Sequence, residues 1–131
     1  MDPFDGLPTT IAQCMEKLQT NTSSTSPPRE STLRSLYELM STSDDAITAV
    51  SCHPQSISIL VSILRSGSAS TKTLAAMVIE ILTRKKEMRI KILLGGCIPL
   101  LLDLLKSGPI ESQTAAAQVL YAISMGSNGD K

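Results

Sequence analysis

Aromatic side chains are almost missing from this chain. Phe4, Tyr37 and Tyr121 are the whole complement, 2% of 131 residues, and there is no tryptophan. A core must therefore be made of Ile, Leu, Val, Met and Ala, which suit packing between helices. An all-β domain would draw on aromatic and β-branched residues in short alternating runs. Cysteine is scarce too: Cys14, Cys52 and Cys97 are odd in number and far apart, which excludes a disulfide framework and reads as reduced thiols. No apolar run approaches the roughly 18 residues of a membrane span. Met1-Asp2-Pro3-Phe4-Asp5 lacks the basic-then-apolar order of a secretion signal. Formal net charge is zero, so the chain as a whole has no electrostatic pull on nucleic acid.

The zero hides a division. Residues 1–64 hold three bases against seven acids; residues 65–131 hold nine bases against five acids. The excess concentrates in Arg84, Lys85, Lys86, Arg89 and Lys91, opposed only by Glu87. Hydrophobic residues make up 42% of the chain, enough for a modest core and too many for a disordered tail.

What the chain does have is an internal repeat. Shifted by 41 residues, 57–82 lies on 98–123 without a gap, with 9 identities in 26 positions, so the two segments are copies of one unit. Ile57, Leu60, Val61 and Leu64 fall at i, i+3, i+4 and i+7, one apolar face of a helix, and Ile98, Leu101, Leu102 and Leu105 repeat that face. Ser66-Gly67-Ser68 and Ser107-Gly108-Pro109 break the helix, with glycine expected in a left-handed C-terminal position and Pro109 in the first turn of the next helix. A small, apolar helix follows in each copy, on Ala75, Val78, Ile79 and Leu82, then on Ala116, Val119, Leu120 and Ile123. A shorter helix precedes each pair: Asp44–Cys52, capped by Ser43 and followed by Pro54, and about Glu87–Leu94, stopped by Gly95-Gly96. A worn third copy precedes these, with Leu33, Leu36, Tyr37 and Met40 on one helix and Ile11, Cys14, Met15 and Leu18 on a partner at about 10–20.

The organisation expected is thus a tail at 1–8, a cap-like helical pair at 9–42 with a disordered Ser/Thr/Pro loop at 20–28, repeats at 43–84 and 85–125, and a tail at 126–131. No polar helix follows the second copy, so the outer faces of its helices are expected to be partly exposed.

Leu94-Gly95-Gly96-Cys97-Ile98-Pro99-Leu100-Leu101-Leu102-Asp103-Leu104-Leu105-Lys106-Ser107 resembles the Gly-Gly-Ile-Pro-x-Leu-Val-x-Leu-Leu pattern of armadillo repeats, with Cys97 inserted. The resemblance covers about residues 30–124 well and 8–20 weakly. It implies an all-α fold, a right-handed armadillo-type α-solenoid with a worn N-terminal helical pair and about two repeats. Ala12-Gln13-Cys14-Met15-Glu16, the run Val61 to Ser68, and the run Lys91 to Pro99 resemble the beginning of plant cellulose synthase-interactive proteins. That closer resemblance implies a non-catalytic scaffold in cellulose biosynthesis, with cellulose synthase subunits and microtubules as partners. It implies a cytoplasmic location at cortical microtubules and the cytoplasmic face of the plasma membrane. It does not extend to the peptide clamp of many armadillo proteins: the clamp's asparagine positions hold Ile81 and Ala122, and its tryptophan positions Met77 and Gln118.

No residue pattern calls for catalysis, a cofactor or a metal. His53, the only histidine, adjoins Cys52 and Pro54 in a helix-end turn, poor spacing for a metal site and without a positioned nucleophile. Gly95-Gly96 lacks the Lys-Ser/Thr of a phosphate loop. Cys97 reads as a small buried residue, Asp44-Asp45 as support for a helix start, and Met40, Met77 and Met88 as core. One cluster carries a functional expectation: Arg84, Lys85, Lys86, Arg89 and Lys91, a basic patch for an acidic protein or an anionic membrane surface. The alternatives are a generic armadillo adaptor of a ubiquitin-ligase or signalling protein, and a basic-patch binder of nucleic acid, for which no interleaved aromatic is present.

Overall fold

The computed structural model describes residues 29–128 except position 54. The tail at 1–8, the helix expected at 10–20, the loop at 20–28, Pro54 and residues 129–131 lie outside the described residues; the last helix continues through 126–128, where the sequence predicts a tail at 126–131. Among the described residues the protein is all-helical, with seven helices and no strand. They are α1 (Arg29–Thr42), α2 (Asp44–Cys52), α3 (Ser56–Ser66), α4 (Ala69–Leu82), α5 (Lys86–Leu94), α6 (Cys97–Ser107) and α7 (Ile110–Asn128).

Local chemistry sets these boundaries. Ser43 accepts a hydrogen bond from the Ala46 N–H at 3.3 Å and starts α2, with Asp44 and Asp45 in its positive first turn. Ser68 caps α4 through the Thr71 N–H at 3.3 Å. In the second copy Pro109 replaces that serine, and the turn is held instead by the Ser112 hydroxyl, which donates to the Pro109 carbonyl at 2.8 Å. Thr71 makes the corresponding bond to the Ser68 carbonyl at 3.0 Å, so the equivalent hydroxyls do the same work in both turns.

The glycines of these turns correct the sequence expectation. Gly67 has φ −77° and Gly108 φ −83°, both extended rather than left-handed. Space, not backbone sign, demands glycine here. A Cβ at Gly67 would lie 2.7 Å from the Ile63 carbonyl oxygen and overlap the Thr71 hydroxyl; one at Gly108 would lie 2.8 Å from the Leu104 carbonyl oxygen and overlap the Ser112 hydroxyl. The left-handed glycine is Gly96, φ 85°, which turns the chain from α5 into α6.

The helices pack so that α4 lies between α1 and α7, while α3 lies against α4 and α6, and α6 against α7. The 41-residue shift therefore describes packing as well as sequence. The α3–α4 hairpin recurs as α6–α7, and the α1–α4 contact recurs as α4–α7. One apolar core runs through all of them, including Leu33, Leu36 and Met40 from α1, Leu60 and Leu64 from α3, Val78 and Leu82 from α4, and Leu101 and Val119 from the second copy. Each such aliphatic side chain contributes about 1.5–3 kcal/mol by leaving water.

The short helices obey a different spacing. Both α2 and α5 have 9 residues, but they start at Asp44 and Lys86, 42 apart; the buried Met88 and Ile92 of α5 match the buried Ala46 and Val50 of α2, whereas the buried Ile47 and Ser51 correspond to the half-buried Arg89 and the exposed Leu93. The extra residue sits in the joint, where 53–55 precede α3 but only Gly95 and Gly96 precede α6.

Candidate functional site

Two adjoining hollows open along the row α1, α4, α7. One, of about 380 Å³, is lined by residues that include Glu30 and Arg34 of α1, Ser70 and Thr73 of α4, and Glu111 of α7. The other, of about 300 Å³, takes in Tyr37, Glu80, Thr114 and Gln118. Met77 and Glu111 border both, so the pair forms one trough across three helices. Helical periodicity explains its lining. Val78 and Val119 point into the core with no exposed surface, and Thr73, Met77 and Glu80 lie off that stripe at i, i+4 and i+7. The floor is apolar at Met77 and Leu74, and the rim is acidic at Glu30, Glu80 and Glu111. Arg34 is the one base among the lining residues, and its guanidinium donates to Glu30 at 3.2 Å. Both partners are exposed, so the pair adds little stability, but it leaves the trough short of positive charge.

This trough was not anticipated from the sequence, where Met77 was assigned to the core. It is half-buried, unlike Met40 and Met88, which are fully enclosed. The available signal was the recurrence of Thr73 as Thr114 at positions facing away from the apolar stripe. At the positions where armadillo peptide clamps hold asparagine, Ile81 is buried and Ala122 half-buried. At the tryptophan positions, Met77 and Gln118 both border the trough.

The five bases of the predicted patch lie close in sequence at the α4–α5 turn and along α5 but do not form one free cluster. Arg84, Lys86 and Lys91 are exposed; Lys85 and Arg89 are half-buried. Lys85 holds the cap position of α5. Arg89 donates from Nε to the Thr83 carbonyl at 2.8 Å and so closes the α4–α5 turn. The same helix exposes Ile90 (60%) between Arg89 and Lys91, and Leu93 (48%) and Leu94 (79%) just after Lys91. The patch is thus half aliphatic, which the count of charges alone concealed.

The remaining reactive residues have structural settings. His53 accepts the Gln55 N–H at Nδ1, 3.2 Å, within the turn after α2. Cys97 is fully buried at the start of α6, and burial pushes its thiol up to about 11. Among the described residues no group of three His, Cys, Asp or Glu could hold a metal ion. No single described helix is long and apolar enough to cross a membrane.

Set beside known proteins, the chain is similar along nearly its whole length to parts of two plant proteins. It is 36% identical over 124 residues, 95% of the chain, to Protein CELLULOSE SYNTHASE INTERACTIVE 3 of Arabidopsis thaliana. It is 34% identical over 131 residues, 99% of the chain, to Protein CELLULOSE SYNTHASE INTERACTIVE 2 of the same plant. The chain spans 6% of the length of each of these relatives. Both names describe interaction rather than catalysis. No family model matches the chain, and no solved structure matches it.

Proposed function

We propose that this chain is a stretch of armadillo-type α-solenoid that acts as a non-catalytic scaffold, and that its partner is a cytoplasmic part of the cellulose synthase complex seated in the α1–α4–α7 trough. One observation carries the reading. The trough crosses from α1 to α4 to α7, helices equivalent by the 41-residue repeat, which is the arrangement expected where modules stand in a row. The names of the relatives supply the kind of partner. The missing asparagine ladder means that no side-chain amide holds the occupant's backbone at Ile81 and Ala122. A helical or folded segment, gripped by its side chains, suits the trough better than an extended peptide. Its acidic rim favours an occupant with basic and apolar side chains.

Attachment to microtubules through Arg84, Lys85, Lys86, Arg89 and Lys91 is the reading that the family resemblance offers for the basic patch. It is less well supported, because Arg89 is engaged with Thr83 and exposed aliphatic side chains share the helix with the charges.

The trough reading is tested by measuring binding of the chain to the cytoplasmic regions of cellulose synthase. Met77→Lys with Thr114→Lys is expected to weaken binding by about tenfold or more, the loss typical of an interface hot spot. Equal binding by the double variant overturns the assignment.

A further inference from the structure

We propose that the outer face of α5 docks on an anionic lipid surface, with Ile90 and Leu94 entering the interface and Lys86 and Lys91 meeting the headgroups. The inference stands apart from the scaffold reading and uses different residues.

The helix carries apolar residues on both sides. Met88 and Ile92 face the core with no exposed surface. At 100° per residue Ile90 lies almost opposite them, with Lys86, Glu87, Leu93 and Leu94 around it and with Lys91 and Arg89 on the two flanks. Four of the nine residues of α5 are charged, so its outer side mixes aliphatic and charged groups, and only its inner side is enclosed. Position along the row does not explain the exposure of Ile90 and Leu94. In α2, their counterparts at the 42-residue spacing are Thr48 and Cys52, which remain exposed although a whole second module follows α2. A neighbouring module leaves those two positions uncovered, and there α2 carries a hydroxyl and a thiol where α5 carries large aliphatics; the counterpart of Leu93 is Ser51, which is buried, so the same does not hold for Leu93.

Charge selects the occupant. Lys86 and Lys91 are exposed on the helix with these aliphatics, Arg84 is exposed in the turn before it, and Glu87 is the single acid of the helix. A second copy meeting the same face would bring together two surfaces that each carry more bases than acids. A bilayer interface accepts aliphatic side chains and, when anionic, attracts the lysines, whose stems lie along the apolar surface while their ammonium groups reach the phosphates.

The test is flotation of the full chain with vesicles of phosphatidylcholine alone and of phosphatidylcholine mixed with one-third phosphatidylserine. Binding is expected to the mixed vesicles, with little to the neutral ones, and to weaken as salt rises. Ile90→Ser with Leu94→Ser is expected to lower binding at least about tenfold with unchanged circular dichroism, and Lys86→Glu with Lys91→Glu by more than about fivefold for each charge reversed. Ile90→Trp gives an independent reading, since the chain has no tryptophan: its emission should shift to the blue when mixed vesicles are added. Absence of wild-type flotation, equal flotation of the serine variant, or an unshifted emission overturns the proposal. A dimer in solution that the serine variant abolishes would also overturn it and assign the face to a second copy.

Discussion

Cys97 begins α6 with no exposed surface, and burial pushes its thiol up to about 11. The unfolded chain gives up that proton near the ordinary thiol value of about 8.5. Between the two values the folded state holds a proton that the unfolded state has lost, so rising pH favours unfolding. The contribution is complete below the ordinary thiol value and disappears as pH climbs through about 11. Urea unfolding of the wild type and of Cys97→Ala from neutral to alkaline pH is expected to show a steeper decline for the wild type, with a difference on the order of 2 kcal/mol at the top of the range. Parallel curves would show that the buried thiol has no such effect. Sequence reading identified Cys97 as a small buried residue, because it precedes a strongly apolar helix. The same reasoning placed Met77 in the core and missed its half-exposed position, since periodicity marks the side of a helix but not how deeply its edge is covered.

At the scale of the element, helices were legible wherever an apolar stripe and a cap agreed. Ser43 with Asp44 and Asp45 set the start of α2, and the i, i+3, i+4 pattern fixed the extent of α3 and α6. Turn chemistry was less legible. Gly67 and Gly108 look like left-handed caps in a string of letters, yet both are extended and are required by the carbonyls of Ile63 and Leu104. Gly108→Ala is therefore expected to destabilise the protein by about 1–3 kcal/mol through overpacking against Leu104 and Ser112. The double variant Gly108→Ala, Ser112→Ala should recover part of that loss, because it removes the hydroxyl the new methyl would strike. Denaturant midpoints decide the matter: no recovery would place the strain on the Leu104 carbonyl alone. The outer face of α5 was the least legible element. Its bases were evident, but Ile90, Leu93 and Leu94 read as ordinary helix filler until the packing showed which side the core takes.

Across the whole molecule, identical positions in the two copies meet different surroundings. Val61 is 7% exposed and Leu102, its counterpart 41 residues on, is 43% exposed. The first copy is flanked by α6 and α7, while nothing among the described residues flanks the second in the same way. Val61→Ser is expected to cost about 2–3 kcal/mol and Leu102→Ser less than about 1 kcal/mol, measured by urea denaturation. Comparable losses would mean that the second face is covered in solution, by association or by another segment. The sequence repeat agrees with the recurrence of the α3–α4 hairpin as α6–α7. It could not foretell the trough, which belongs to no single module and arises only where α1, α4 and α7 stand side by side.

The joint between short and long helix has its own implication. Three residues serve there in the first module and two in the second, while the long helices keep the same registration. Chain length can drift at that hinge without turning any buried side chain toward water. A residue gained inside the Ser66-Gly67-Ser68 turn would instead rotate α4 by about 100° against its neighbours and carry the apolar stripe out of the core. Insertions accumulated over descent should therefore gather at the one corner and spare the other, and a designer lengthening such a row has a natural place to add spacing.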